Sequence, residues 1–230
     1  DQAWGRPSAR VRLSFLPGVE APSAPGHEDA LMSYERGGLG VLVARGRTSV
    51  YEGEAARSAT ALARIASGAR LRAALLVTRA TPLRGSGDVA GGSAPGQVRV
   101  VADHLNLSGG SLFPAPGMVS AGWDATLTER LGSLRGVSGS SVVALVPGPL
   151  RPSPAESRAL VSLGADAAVT DSVAEAMILA ARGVAVSALT YLDAPAAGGN
   201  LGRAQLSLRQ ASGVTLAAVE EILRSLRAGS

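Results

Sequence analysis

The 230 residues suffice for one large domain or two small ones, and 46% of them are hydrophobic against 17% charged, which excludes disorder of the low-hydrophobicity, high-charge kind. Lys and Arg together number 22 against 18 Asp and Glu, a net charge of +4, and every basic residue is Arg. With no Lys and no Cys, Schiff-base chemistry, thiolate nucleophiles, disulfides and thiolate metal sites are all excluded.

Aromatic residues make up only 3% of the chain, too few and too scattered for a base-stacking platform, and the net charge is small, so no nucleic-acid partner is expected. No apolar run approaches about 18 residues, and the first residues lack the pattern of a secretory leader, so no membrane partner is expected and a cytoplasmic protein is.

In chain order, the first 27 residues are rich in Pro and read as irregular. GLGVLVA at 38–44 reads as a short buried strand and 48–51 as a second one. Residues 54–67 carry Ala and Leu at helical spacing, with Leu62, Ile65 and Ala66 on one face. LRAALLVT at 71–78 has almost no polar alternation, the pattern of a strand buried on both faces. The Gly/Ser segment 85–97 reads as a loop and lacks the Gly-Lys-Ser/Thr of a phosphate loop. Strands follow at 98–103, 141–146, 165–169 and 184–192, and helices at 123–134, 154–163 and 173–182, with Pro154 at a first turn and Gly183 as a stop. The tail, 214–227, reads as an amphipathic helix with Leu216, Val219, Ile222 and Leu226 on one side. Strands alternating with helices from residue 38 onward predict an α/β fold, a three-layer sandwich around a mixed and largely buried sheet, in one domain spanning 1–230.

Several segments then resemble one family. Arg45-Gly46-Arg47-Thr48-Ser49-Val50-Tyr51-Glu52-Gly53 is similar to a Gly-Arg-x-His-x-Tyr-Glu-Gly segment of the trimeric purine nucleoside phosphorylases. Asp103-His104-Leu105-Asn106-Leu107 matches that family's Asp-His-Ile/Leu-Asn-Leu. Pro25-Gly26-His27, Val146-Pro147-Gly148-Pro149, Pro154-Ala155-Glu156 and Leu163-Gly164-Ala165-Asp166-Ala167 follow it in order and at workable spacings. The resemblance implies an α/β/α sandwich whose mixed sheet includes a distorted small barrel, and a trimeric assembly. It implies no cofactor, and two histidines without Cys give no metal site.

Position by position, the resemblance also marks what has changed. The family's phosphate-gripping Gly-Ser-Gly loop would lie before Asp1. Arg47 matches a phosphate ligand and Tyr51 a ribose contact, and His27 falls near the ribose or phosphate. The family's His is Ser49, its Asn-Ala pair is Arg79-Ala80, and its phosphate-binding Ser is Asp171. Its base-anchoring Phe-Glu is Arg151-Pro152, and the Asn that steadies the leaving purine is Ala194, preceded by Asp193. Its ribose-contacting His has no counterpart, since His27 and His104 are the only histidines. Phosphorolysis needs an anion below an oxocarbenium-like sugar and a donor at the leaving base, and losing one positioned donor commonly costs about 10²- to 10³-fold. The sequence therefore predicts a family member with a degenerate site that has lost ordinary phosphorolysis and acts on another small molecule. Asp171, Asp193 and Tyr191 are its candidate acid/base groups, and Arg47, Ser49, Tyr51, Arg79, Ala80, Arg151 and His27 its candidate ligand contacts. A non-catalytic scaffold or regulatory subunit, paired with itself or a paralogue, and a divergent nucleoside phosphorylase or hydrolase are the alternatives. Asp171 also suits the N-cap of a helix beginning near Val173, Asp193 a solvated turn, and Arg151 an exposed loop. Arg79 stands as a partner that could neutralise Asp171. His104 reads as a structural residue at a strand end.

Overall fold

The two most apolar stretches pair with each other. In the computed structural model, which describes residues 4–49, 56–83, 95–108, 121–148, 151–193 and 201–229, β4 (Ala73–Pro82) and β8 (Ala185–Leu192) run parallel, from Ala73 opposite Ala185 to Ala80 opposite Leu192. β8 is buried at every position after its first, as a strand covered on both faces should be. β4 departs from the expected double-sided burial: Thr78 and Ala80 are buried, but Val77 and Arg79 between and beside them are exposed. β5 (Val98–Asn106) leaves β8 in antiparallel register at Val98 and Tyr191, then runs parallel to β6 (Val137–Leu145). β6 is parallel to β7 (Ala167–Val169), and β7 meets β4 antiparallel at Thr81 and Ala168. The order β4-β7-β6-β5-β8 thus closes into a small barrel. Two register shifts in the β5–β6 pair, around Val98–Val100 and Val101–Asp103, supply the local bending that closure demands.

Helices cover this mixed sheet on both sides, as the expected three-layer α/β/α arrangement requires. α2 (Ala61–Gly68) and α5 (Val173–Ala180) pack on a cluster that includes Ala80, Val143, Val169, Ala188 and Leu192. α3 (Ala125–Gly132) and α6 (Leu201–Ala228) pack on a second cluster around Val98, Val100, Leu189 and Tyr191. α4 (Pro154–Ser162) caps a third, with Ala144 and Ala168. Its start has the expected Pro154, preceded by a capping box in which Ser153 and Glu156 satisfy each other's backbone N–H.

The N-terminal part departs from expectation. It holds a separate antiparallel sheet of β1 (Ala9–Val11), β2 (Leu31–Arg36) and β3 (Leu39–Ala44). Only β3 was legible, because LMSYER at β2 has no clean alternation and β1 is three exposed residues. Gly37 and Gly38, at φ 57° and 77°, make the two-residue turn between β2 and β3. Residues 48 and 49 lie outside any strand, and 50–51 lie outside the described residues, as does most of the Gly/Ser loop. The helix expected at 54–67 is broken at Thr60, between α1 (Ala56–Ala59) and α2. The tail helix begins thirteen residues before its expected start, at Leu201, since the single Gly213 does not stop it. Its packed face runs through Val214, Ala218 and Ile222, with Leu226 beside them, rather than through Leu216 and Val219.

Candidate functional site

Arg47 follows β3 on a segment pressed against residues 27–30. A Cβ on Gly46 would sit 2.6 Å from the Glu28 carbonyl oxygen, so only Gly permits the approach. Backbone bonds from Glu28 to Arg45 and from Arg45 to Ala30 hold it there. His27 joins in through its ring: Nδ1 lies 2.9 Å from the Arg47 carbonyl oxygen and 3.4 Å from the Arg47 backbone N. The family-matched Pro-Gly-His segment therefore positions the Arg47 backbone.

From this anchor the Arg47 guanidinium reaches the start of α5. Nε lies 3.3 Å from Asp171 Oδ2, Nη1 lies 3.3 Å from Glu175 Oε1, and Nη2 donates to the Val77 carbonyl at 2.6 Å. Each of its three nitrogens thus has a partner within the chain. Asp171 sits just past β7, where the antiparallel register with β4 carries it opposite Thr78, and the Thr78 hydroxyl donates to its other oxygen, Oδ1. Asp171 is not the N-cap of α5. That place belongs to Ser172, held at φ 69° with no side-chain cap, and the Ser172 backbone N–H is taken by the Glu175 carboxylate instead. Burial pushes the Glu175 carboxyl above its ordinary pKa; Arg47 opposes the shift and neighbouring Asp171 adds to it. Glu175 and Thr78 were missed in the sequence. Ser172-Val173-Ala174-Glu175 has capping-box spacing, which could have put Glu175 beside Asp171.

A second cluster forms at the carboxyl ends of β4 and β8. Asp193 extends the pairing of these strands by one bond, its N–H donating to the Ala80 carbonyl at 2.9 Å. Its Oδ2 accepts from Arg79 Nη2 at 2.9 Å and from Arg151 Nη2 at 3.1 Å. Asp193 is therefore held between two cations and is no free turn residue. Arg151, on the segment before α4, is tied down rather than loose. Arg79 pairs with Asp193 and not with Asp171, because adjacent residues on β4 face opposite sides: Thr78 is buried toward Asp171 while Arg79 is exposed.

The remaining candidates scatter. The Tyr191 side chain packs into the apolar cluster under α3 and α6 and makes no hydrogen bond among the described residues. The three proposed acid/base groups are thus divided among three environments. Ser49 and Ala80 are buried, Ala80 serving through its carbonyl. Tyr51 lies outside the described residues. His104 accepts at Nδ1 from the Trp123 indole N–H at 3.1 Å, with the rings edge-on at 81°. Burial lowers its pKa, against the pull of Asp103.

No protein-family model matches the chain. Purine nucleoside phosphorylase of Mycobacterium tuberculosis is 33% identical over 220 residues, which cover 93% of this chain and 79% of that protein. The enzyme of the same name from Mycobacterium leprae is 34% identical over 200 residues, covering 85% and 72%. The chain belongs to the purine nucleoside phosphorylase family. Solved structures agree on the family's fold. The Schistosoma mansoni phosphorylase in complex with inosine superposes with a TM-score of 0.74 at 19% identity, over 94% of this chain and 84% of that one. Its complex with hypoxanthine gives 0.70 at 19% identity, over 94% and 84%. In this family member the Asp171 carboxylate lies on the Arg47 guanidinium.

Proposed function

We propose that this family member has lost ordinary phosphorolysis of purine nucleosides and binds a different small molecule at the remodelled site, as a repurposed enzyme. One observation carries the reading: the Arg47 guanidinium is already filled by Asp171, Glu175 and the Val77 carbonyl. A phosphate dianion brought to Arg47 would have to displace Asp171 or lie against it. Two like charges about 4 Å apart repel by several kcal/mol in a poorly solvated site. The attacking anion is therefore excluded, and with it the electrostatic part of the rate enhancement. Among the described residues Asp193, set between Arg79 and Arg151, is the candidate acid/base group that faces the ligand. The names of the mycobacterial relatives support a rival reading, a divergent nucleoside phosphorylase or hydrolase, and the self-satisfied Arg47 cluster equally suits a non-catalytic scaffold. We further infer one domain over 1–230, a trimer of this chain or an assembly with a paralogue, a cytoplasmic location and no cofactor; family resemblance supports the trimer.

The test is release of hypoxanthine or guanine from inosine or guanosine in phosphate buffer, with phosphate binding followed by thermal shift, since a ligand that binds only the folded state raises Tm. No base release and no phosphate-dependent shift are expected, with phosphate binding gained on Asp171→Ser. Base release by the unaltered protein would sink the reading.

A further inference from the structure

We propose that the Arg79–Asp193–Arg151 cluster recognises the carboxylate of a small organic acid, and that this carboxylate is the charged end of the ligand taken by the remodelled site. The inference rests on the reading above and adds the ligand's chemical class.

Charge is the first argument. The cluster holds two guanidinium groups and one carboxylate, which leaves one positive charge unmatched. The two Nη2 atoms converge on one oxygen, Asp193 Oδ2, and among the described residues neither guanidinium has another partner. Among the described residues each fork thus keeps its Nε and Nη1 donors for a ligand. Planar forks of this kind match a carboxylate in bidentate fashion. A monoanion completes the charge balance. A phosphate dianion would overshoot it, on a strand whose preceding residue, Thr78, already contacts the Asp171 carboxylate on the opposite face.

Placement is the second. Arg79 lies near the carboxyl end of β4 and Asp193 directly follows β8, its parallel neighbour, so the cluster sits where these two strands of the barrel end together. Val77, two residues before Arg79 and so on the same face, is an exposed apolar side chain, 44% accessible. It offers an apolar footing beside the two cations for the organic part of an acid.

The experiment uses the full chain in phosphate-free buffer, with calorimetric titration and thermal shift. The probes are benzoate and orotate, their uncharged counterparts benzamide and uracil, and phenyl phosphate. Benzoate or orotate is expected to bind and the uncharged counterparts are not. Arg79→Gln and Arg151→Gln should each weaken the acid by about 10-fold or more, the scale of one charge-assisted hydrogen bond. Asp193→Asn should tighten it, since it removes the internal competitor. Circular dichroism checks that each variant is folded. Equal response to acid and uncharged counterpart, or titrations unmoved by both Arg variants, would overturn the site. So would the absence of acid binding to both the unaltered protein and Asp193→Asn. Phenyl phosphate binding more tightly than benzoate would overturn the carboxylate assignment. Base release from inosine, assayed on the same preparation, reports separately on phosphorolysis: release together with acid binding removes the earlier reading alone, and neither release nor acid binding removes this one alone.

Discussion

Two ion clusters on neighbouring residues of β4 are built from the same side chains in inverse proportion. Below Thr78, one Arg serves two carboxylates; beside Arg79, two Arg serve one carboxylate. Their burial is also opposed. Arg47, Asp171 and Glu175 are 16%, 16% and 13% accessible, whereas Arg79 and Arg151 are 70% and 42% accessible. The first cluster is satisfied within itself and has no positive charge to offer. The second is exposed and carries an excess positive charge. An Arg can offer its charge to an external anion only where the chain has not already supplied the carboxylates to match it.

Removing the cation from the less accessible cluster should have the largest effect on stability. Arg47→Leu strands two carboxylates that have little water to turn to. Removing one partner of a buried ion pair costs about 3–5 kcal/mol, because the remaining charge stays desolvated. Urea denaturation at neutral pH should register a loss of that size. A loss below about 1 kcal/mol would mean that the cluster is solvated and that Arg47 remains available to phosphate.

A second prediction uses pH. Burial raises the Glu175 pKa above its ordinary 4.5, with Asp171 adding to the shift and Arg47 opposing it. The folded chain therefore holds this proton more tightly than the unfolded one. The stability this contributes is fully present below about pH 4.5 and is lost as pH rises through the folded-state value. Glu175→Gln removes that dependence. The stability of the unaltered protein relative to the variant should fall as pH is raised from 4.5 toward neutrality. A flat difference would show that Glu175 is not charged at the expense of folding.

These clusters also mark the limit of what the sequence made legible. The two central strands were plain, because β4 opens on the apolar run AALLV and β8 carries no charged residue. β2 was not, since its stability comes from pairing with β3 and from burial of Tyr34, which its own letters do not announce. The short motifs placed Arg47 and Asp171 in one site across 123 intervening positions, but the resemblance puts Ser at the second, so nothing in it foretold their ion pair. Asp171 meets Arg47 and not Arg79 because Thr78, rather than Arg79, is the β4 residue whose side chain faces it. That follows from the register of β4 with β7, a long-range pairing that no local periodicity encodes.

The smallest expected effect lies in the exposed cluster. Arg151→Gln removes an ion pair at 3.1 Å, shorter than either contact of Arg47 with its carboxylates. Distance alone would therefore rank it as the stronger bond. Accessibility reverses the order. Arg151 is 42% exposed, Asp193 keeps Arg79 as a second partner, and water screens what is lost. Pairs of this kind contribute about 0–1 kcal/mol. Urea denaturation of Arg151→Gln should accordingly fall within about 1 kcal/mol of the unaltered protein, with the difference shrinking further in 1 M salt as screening shortens to about 3 Å. A cost as large as that of Arg47→Leu would mean that Arg151 is needed to hold the fold, and its guanidinium would then be no freer for a ligand than the one at Arg47.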